Sequence, residues 1–294
     1  MFRRCLNITA ALLLCLAVAA CQTAPQTTGP ATAGRAQVQP VSAVPVAYAP
    51  AETGVHRGFS ALVIDGATGA ELYAVDADEP RFPASLTKMM TLYLLFEEVA
   101  NGRFGLTTPL EVSGNAAAQP PSKIGVQAGS TITVEQAARA LAVRSANDVA
   151  VVVAENIAGS EAAFARRMSD KARQLGLSRT RFVNSSGLTD PAQVTTARDM
   201  AKLGQALTRR FPQYAGYYRA QSFTYNGRNF RATNNLLGKV PGVDGLKTGY
   251  LRMSGYNLVA TSRRGQKRLV VVVIGGASEQ ARDAEVARLI DAFS

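Results

Sequence analysis

Histidine is nearly absent: the 294 residues of this chain include one, His56, in a stretch that reads as linker. A Ser-His-Asp triad would have to take its base from that linker, and a histidine-rich metal site is excluded. Cysteine is confined to Cys5, Cys15 and Cys21. The body of the chain therefore holds neither a disulfide framework nor a cysteine zinc site. The apolar run from about Ile8 to Ala20 is shorter than the ~20 residues that cross a bilayer as a helix. Glutamate does not occur between Glu161 and Glu279.

What is present divides the chain into three. Residues 1–20 read as a secretory signal, with Arg3 and Arg4 ahead of the apolar run. The run ends in Val18-Ala19-Ala20-Cys21, which is similar to a bacterial lipobox, so Cys21 is the expected lipidated residue and membrane anchor. Ordinary cleavage that leaves Cys21 a free thiol is the alternative, and a lone thiol is a liability in an oxidising compartment. Behind Cys21, residues 22–57 are rich in Ala, Thr, Pro, Gln and Val and nearly uncharged, and read as a disordered tether. Residues 58–294 are then the folded domain. A hydrophobic share of 47% suffices for a sizeable core. The net charge of +11 suits an anionic surface or polymer as well as nucleic acid.

Order is expected from Gly58. Residues 59–65 and 71–75 read as strands joined by a Gly66-Ala67-Thr68-Gly69 turn. A helix follows from Leu86 to about Asn101-Gly102, with Pro83 and Ser85 at its start. Residues 111–113 are short and extended, and 115–130, with Pro120-Pro121, read as a loop. Helices are expected over 133–143, 148–158, 161–175 and 196–209. The second of these is nearly all apolar and should be buried. The third carries Arg166, Arg167, Lys171 and Arg173 on what reads as a solvated face. Asn226-Gly227 between two short strands is a type I′ hairpin signal. Strands over 245–248, 255–261 and 267–275 precede a closing helix, 279–293. The basic cluster at 263–268 falls on a hairpin tip, which reads as solvated.

Three motifs carry the chemistry. In Pro83-Ala84-Ser85-Leu86-Thr87-Lys88-Met89-Met90, helical spacing brings the Ser85 hydroxyl and the Lys88 amine to one face. A neutral lysine can take the hydroxyl proton, and a helix start offers N–H groups where an oxyanion develops. The apolar neighbours of Lys88 favour a lowered pKa. The plain alternative is a capping serine followed by a solvated lysine. Ser145-Ala146-Asn147 lies at a junction between helices, where polar side chains can project into a cleft. A second copy, Ser113-Gly114-Asn115, reads as a simple turn. Lys247-Thr248-Gly249 ends a strand, with an ammonium and a hydroxyl suited to a carboxylate and a glycine that lets a ligand approach the backbone. An exposed strand end turning at Gly249 is the alternative there.

This ordered set resembles that of the low-molecular-mass penicillin-binding proteins, specifically the serine-type D-alanyl-D-alanine carboxypeptidases. The resemblance covers about residues 58–276 and extends to Ser186-Gly187-Leu188, Ala197-Arg198-Asp199-Met200 and Gly255-Tyr256-Asn257-Leu258-Val259-Ala260. It implies an α/β (α+β) fold of the penicillin-binding and serine β-lactamase type. That fold has an antiparallel sheet of about five strands flanked by helices, beside a mostly helical region. It also implies that Ser85 attacks the carbonyl of the penultimate D-alanine, with Lys88 as base. Ser145 would relay the proton to the departing D-alanine, and Asn147 would hold Lys88 and the substrate. Lys247, Thr248 and Gly249 would bind the terminal carboxylate end, and the N–H groups of Ser85 and Tyr250 would form the oxyanion hole.

The expected partners are a peptidoglycan stem peptide ending in D-Ala-D-Ala, β-lactams as covalent inhibitors, and a membrane through the N-terminal lipid on the periplasmic side of the envelope. No nucleic acid, metal or cofactor is expected. Tyr250-Leu251 stands where better-known carboxypeptidases have His-Thr, which bears on substrate preference. Many members continue into a β-rich segment and an amphipathic membrane helix, and the N-terminal lipid is expected to replace that anchor here. A D,D-endopeptidase is the nearest alternative. A class A β-lactamase is disfavoured by the absence of a deacylating glutamate. A non-catalytic peptidoglycan-binding lipoprotein is disfavoured by the completeness of the motifs.

Overall fold

The computed structural model describes residues 57–294. The expected signal segment, Cys21 and the tether up to His56 lie outside the described residues.

Strands β1 (Ser60–Asp65) and β2 (Glu71–Val75) form an antiparallel hairpin. Its turn closes because Asp65 Oδ1 accepts from the Ala67 and Thr68 N–H groups at 2.9 and 2.7 Å. The chain then passes through a tight 3-10 turn, Ala84–Thr87, into helix α1 (Lys88–Ala100). The α-helix therefore begins at Lys88 rather than Leu86, and Ser85 sits in the turn ahead of it. Strands β3 (Pro109–Glu111) and β4 (Thr131–Thr133) pair across the expected loop. That loop opens with a single helical turn, α2 (Gly114–Ala117), capped by the Ser113 hydroxyl at 2.9 Å from the Ala116 nitrogen. Ser113-Gly114-Asn115 is thus a helix start rather than a simple turn.

Helix α3 (Val134–Arg139) starts with a Thr133/Gln136 capping box and runs on as a wider π turn, Ala140–Arg144. Helices α4 (Asn147–Ala158), α5 (Glu161–Gln174) and α6 (Ala197–Arg210) follow, then the short α7 (Ala215–Arg219), which the sequence does not announce. On α5, two of the four cations turn inward to α1: Arg167 meets Glu98 at 2.5 Å and Lys171 meets Glu97 at 2.9 Å. Strands β5 (Ser222–Tyr225) and β6 (Arg228–Arg231) flank Asn226 and Gly227, whose φ angles of 46° and 73° match the expected type I′ turn. Strands β7 (Val243–Leu251), β8 (Gly255–Arg264) and β9 (Lys267–Gly276) lead into helix α8 (Glu279–Phe293).

Five strands form one antiparallel sheet in the order β2-β1-β9-β8-β7. Strand alternation sends Leu62, Ile64, Val259, Val270 and Val272 into a core shared with α1, α4 and α6. Ala61, Val63, Leu258, Val271 and Val273 pack on the other face against Val286, Leu289 and Ile290 of α8. Covering both faces explains the unbroken valine run of β9. Each such side chain contributes roughly 1.5–3 kcal/mol relative to exposure. The order leaves β7 at an edge, and that edge meets the Ala84–Thr87 turn: a Cβ placed on Gly249 would lie 3.1 Å from the Ser85 nitrogen. Among the described residues, no helix is long and apolar enough to cross a membrane.

Candidate active site

Ser85 sits half-buried on the 3-10 turn, and the backbone around it is constrained from two sides. Ala84 takes φ 49°, the left-handed region that alanine seldom adopts. Gly187 packs directly beneath, where an added Cβ would stand 1.9 Å from the Ala84 carbonyl oxygen. From the sheet, Asn257 donates its amide to the Phe82 and Pro83 carbonyls at 3.1 and 3.2 Å and accepts from the Gly275 nitrogen at 3.0 Å. The turn is therefore fixed to the sheet by one side chain.

Lys88 lies fully buried one turn on, which excludes the solvated alternative. Its Nζ is 3.2 Å from Ser85 Oγ, 2.7 Å from Asn147 Oδ1 and 2.5 Å from the Ser186 carbonyl oxygen. Burial, and then the nearby Lys247 ammonium, hold Lys88 well below the ordinary lysine range. A neutral amine has two N–H groups and one lone pair. The Asn147 and Ser186 oxygens accept the two N–H groups, which leaves the lone pair for the Ser85 hydroxyl. This geometry suits the neutral form that the lowered pKa favours.

Ser145 and Asn147 reach the same cavity from the junction of the π turn with α4. Ser145 has φ 61°, and among the described residues its buried Oγ has no hydrogen-bond partner. Asn147 is held by its amide, 3.0 Å from the Pro120 carbonyl, and by its backbone nitrogen, 2.7 Å from the Ser122 carbonyl. Next to it, Asp148 accepts from the Gly125 nitrogen at 2.8 Å and the Val126 nitrogen at 3.2 Å, which folds the preceding loop onto the site.

The third motif forms the opposite wall. Lys247 is buried, and its Nζ donates to the Thr248 carbonyl at 2.9 Å. Burial, and then Arg282, push its pKa down to about 7. The Thr248 hydroxyl bonds Thr233 Oγ1 at 2.7 Å. Gly249 leaves the room that lets β7 approach the serine turn. Tyr250 stands exposed beside it, its ring 4.4 Å from that of Tyr256. All eight residues expected at the site converge on one region: six of them line a cavity of about 340 Å³, and the buried Lys88 and Lys247 lie behind it, bonded to Ser85 and Thr248.

Sequence reading misses Arg282, Thr233 and Ser186. Arg282 is buried in the cavity wall, paired with Asp283 at 2.6 Å and with Glu279 at 3.5 Å. An arginine in the first turns of an amphipathic helix reads as surface, and nothing local marks it otherwise. Ser186 acts through its carbonyl, which its side chain does not disclose. Only the Ser186-Gly187-Leu188 signature points to that segment. The whole arrangement suits nucleophilic acyl transfer on a substrate with an anionic end.

The family model described as D-alanyl-D-alanine carboxypeptidase matches residues 47–278. The chain is 37% identical over 238 residues to D-alanyl-D-alanine carboxypeptidase DacA of Escherichia coli (strain K12), covering 79% of this chain and 59% of that protein. It is 35% identical over 244 residues to D-alanyl-D-alanine carboxypeptidase DacF of Bacillus subtilis (strain 168), covering 81% and 63%. The solved structure of penicillin binding protein 5 from Haemophilus influenzae matches with a TM-score of 0.77 at 33% identity, over 80% of this chain and 70% of that one. The chain spans about three-fifths of the length of the curated relatives it matches. The expected fold class is the one found, and the sheet is built from the expected five strands. On the family match and these identities, the chain belongs to the D-alanyl-D-alanine carboxypeptidase family.

Proposed function

We propose that this chain is a serine-type carboxypeptidase that removes the terminal D-alanine from peptidoglycan stem peptides through an acyl-enzyme on Ser85. The observation that carries the reading is the buried Lys88 amine, 3.2 Å from Ser85 Oγ with both of its N–H groups already accepted. Ser85 Oγ attacks the carbonyl carbon of the penultimate D-alanine as its proton moves to Lys88 Nζ. The Ser85 and Tyr250 N–H groups take the oxyanion. The C–N bond breaks, and a proton passes through the Ser145 hydroxyl to the departing D-alanine nitrogen. Water then attacks the ester carbon, releasing the shortened peptide and returning the proton to Ser85. Asn147 keeps Lys88 in place, while Lys247 and Thr248 hold the terminal carboxylate beside the space left by Gly249.

A β-lactam presents a strained amide and a carboxylate in similar relation, so the same serine is its target. That the similar Haemophilus influenzae structure is of a penicillin binding protein supports this.

The domain plan belongs to the same proposal: a signal at 1–20, a lipidated Cys21 and tether at 21–57, and the peptidase domain at 58–294, held at the periplasmic side of the envelope. The Val18-Ala19-Ala20-Cys21 sequence supports the anchor. A single acyl chain binds membranes only marginally, whereas several hold firmly. Intact-mass analysis of the membrane fraction should find lipid on residue 21, and its absence overturns the anchor.

The activity is tested by mass spectrometry of products from purified muropeptides. Loss of one D-alanine from pentapeptide stems is the expected result. Cleavage of crosslinks without that loss makes the protein an endopeptidase, and no change in either makes it a binding protein.

A further inference from the structure

The end of the sheet away from the cavity carries cations that have no part in the chemistry above. Arg263 and Arg268 stand directly opposite each other across the β8–β9 hairpin, as do Arg264 and Lys267. Facing like charges weaken a strand pair, and here only Arg264 is offset, by Asp291 of α8 at 2.7 Å. The hairpin tip joins a second basic patch on α6. The Arg268 carbonyl accepts from the Gly66 nitrogen at 2.6 Å, and the Gly66 carbonyl accepts from the Gln205 amide at 3.1 Å. Gln205 lines a hollow of about 420 Å³ together with Arg210 and with Lys202 and Arg209, which lie one helical turn to either side of it. Arg210 is held by Glu97 at 2.8 Å, and Lys202 donates to the Gly176 carbonyl at 3.0 Å. Among the described residues, Lys202, Arg209, Arg263, Lys267 and Arg268 are all exposed and none forms a salt bridge.

This basic end and the cavity lie at opposite ends of β8. From Tyr256 at the cavity to Arg263 at the tip is about 24 Å of extended strand. Whatever meets the basic end must be anionic. Three of its cations crown a hairpin turn of two residues, Gly265 and Gln266, so they stand proud and suit a broad layer of phosphates. A lipid on Cys21 would bring the domain to a bilayer without fixing which side faces it, and a polybasic patch is the usual second signal beside a lipid anchor. We infer that Arg263, Lys267 and Arg268 at the β8–β9 tip, with Lys202 and Arg209 of α6, form a docking surface for the headgroups of an anionic phospholipid bilayer. Seated there, the domain turns the Ser85 cavity away from the bilayer and toward the wall. The setting beside a bilayer rests on the reading of Cys21 as an anchor, and the surface owes nothing to the chemistry at Ser85.

Co-sedimentation of the full chain tests this with two kinds of vesicle, pure phosphatidylcholine and equal parts phosphatidylcholine and phosphatidylglycerol. The gain in affinity on adding phosphatidylglycerol reads headgroup charge, because the apolar N-terminal run contributes alike to both. Arg263→Gln/Lys267→Gln/Arg268→Gln and Lys202→Gln/Arg209→Gln should each cut that gain by about fivefold per cation removed. Added salt should cut it in the wild type. Arg166→Gln/Arg173→Gln/Arg181→Gln removes as much charge from the exposed α5 flank and should leave most of the gain in place. A gain unchanged in both test variants, or lost equally in the α5 variant, overturns the surface. Tighter binding of soluble polyphosphate than of the vesicles, lost in the same variants, assigns these cations to a polymer and overturns the membrane assignment. Penicillin should label Ser85 in every variant, so loss of label from all of them, the wild type included, strikes the carboxypeptidase reading and leaves the docking surface standing.

Discussion

Lys88 Nζ lies 2.7 Å from Asn147 Oδ1, joining side chains 59 positions apart in the chain. That contact and the Ser186 carbonyl fix which way the amine lone pair points. Burial, and then Lys247, lower the Lys88 pKa and so favour its neutral form. Lys88→Met keeps the apolar stem and removes the base. Penicillin acylation should slow by about 10²–10⁴-fold, with thermal stability maintained or raised because a buried amine is gone. In the wild type, acylation should rise with pH through the lowered Lys88 pKa and persist well below the range where an ordinary lysine is charged. Stopped-flow acylation across pH checks both.

Lys247 makes a prediction about recognition. Charge-assisted contacts contribute roughly 1.5–3 kcal/mol, so Lys247→Ala should reduce turnover of a free D-Ala-D-Ala peptide about tenfold to a hundredfold more than turnover of its C-terminal amide. With a pKa of about 7 in the free site, Lys247 loses its charge above neutrality. The preference for carboxylate over amide should therefore fall as pH rises from about 6 to about 9. An equal loss on both substrates would place carboxylate recognition elsewhere.

The same lysine links stability to pH. Its folded pKa of about 7 lies below the ~10.4 of an unfolded chain, so between these values the unfolded state binds more protons. Stability from this group therefore rises with pH across that window, by about 1.4 kcal/mol per unit. Tm measured from about pH 7 to about pH 9.5 should climb more steeply for the wild type than for Lys247→Met. Parallel curves would show that Lys247 keeps its proton on folding.

Gly187 supports the serine turn from below. A Cβ there meets the Ala84 carbonyl at 1.9 Å and must also adopt φ 83°. Gly187→Ala should destabilise the fold by about 2–4 kcal/mol from overpacking and left-handed strain together. Because the displaced atom belongs to the residue before Ser85, acylation should also fall at least about tenfold in the protein that remains folded. Denaturant titration and penicillin labelling on one preparation separate the two effects.

Much of the fold is legible because its signals are local. Valine runs mark the central strand, Asn226-Gly227 marks a hairpin by its φ requirement, and Ser160, Thr196 and Ser278 cap their helices within four residues. The three motifs are legible as residue types at fixed spacing. What they meet is not. That Asn257 ties the serine turn to the sheet, that Arg282 is drawn under the cavity wall, and that Gly187 lies beneath Ala84 depend on contacts between distant segments. The 3-10 turn at Ser85 is hidden for the same reason: its left-handed alanine is imposed by packing on both sides rather than by its own propensity.

The central claim is that Ser85 is the nucleophile activated by Lys88. Incubating the full chain with a labelled penicillin, digesting it, and mapping the adduct by mass spectrometry tests this directly. The account predicts one covalent adduct per chain, on Ser85, and none in Ser85→Ala. An adduct on another residue, or undiminished labelling of the alanine variant, would contradict it.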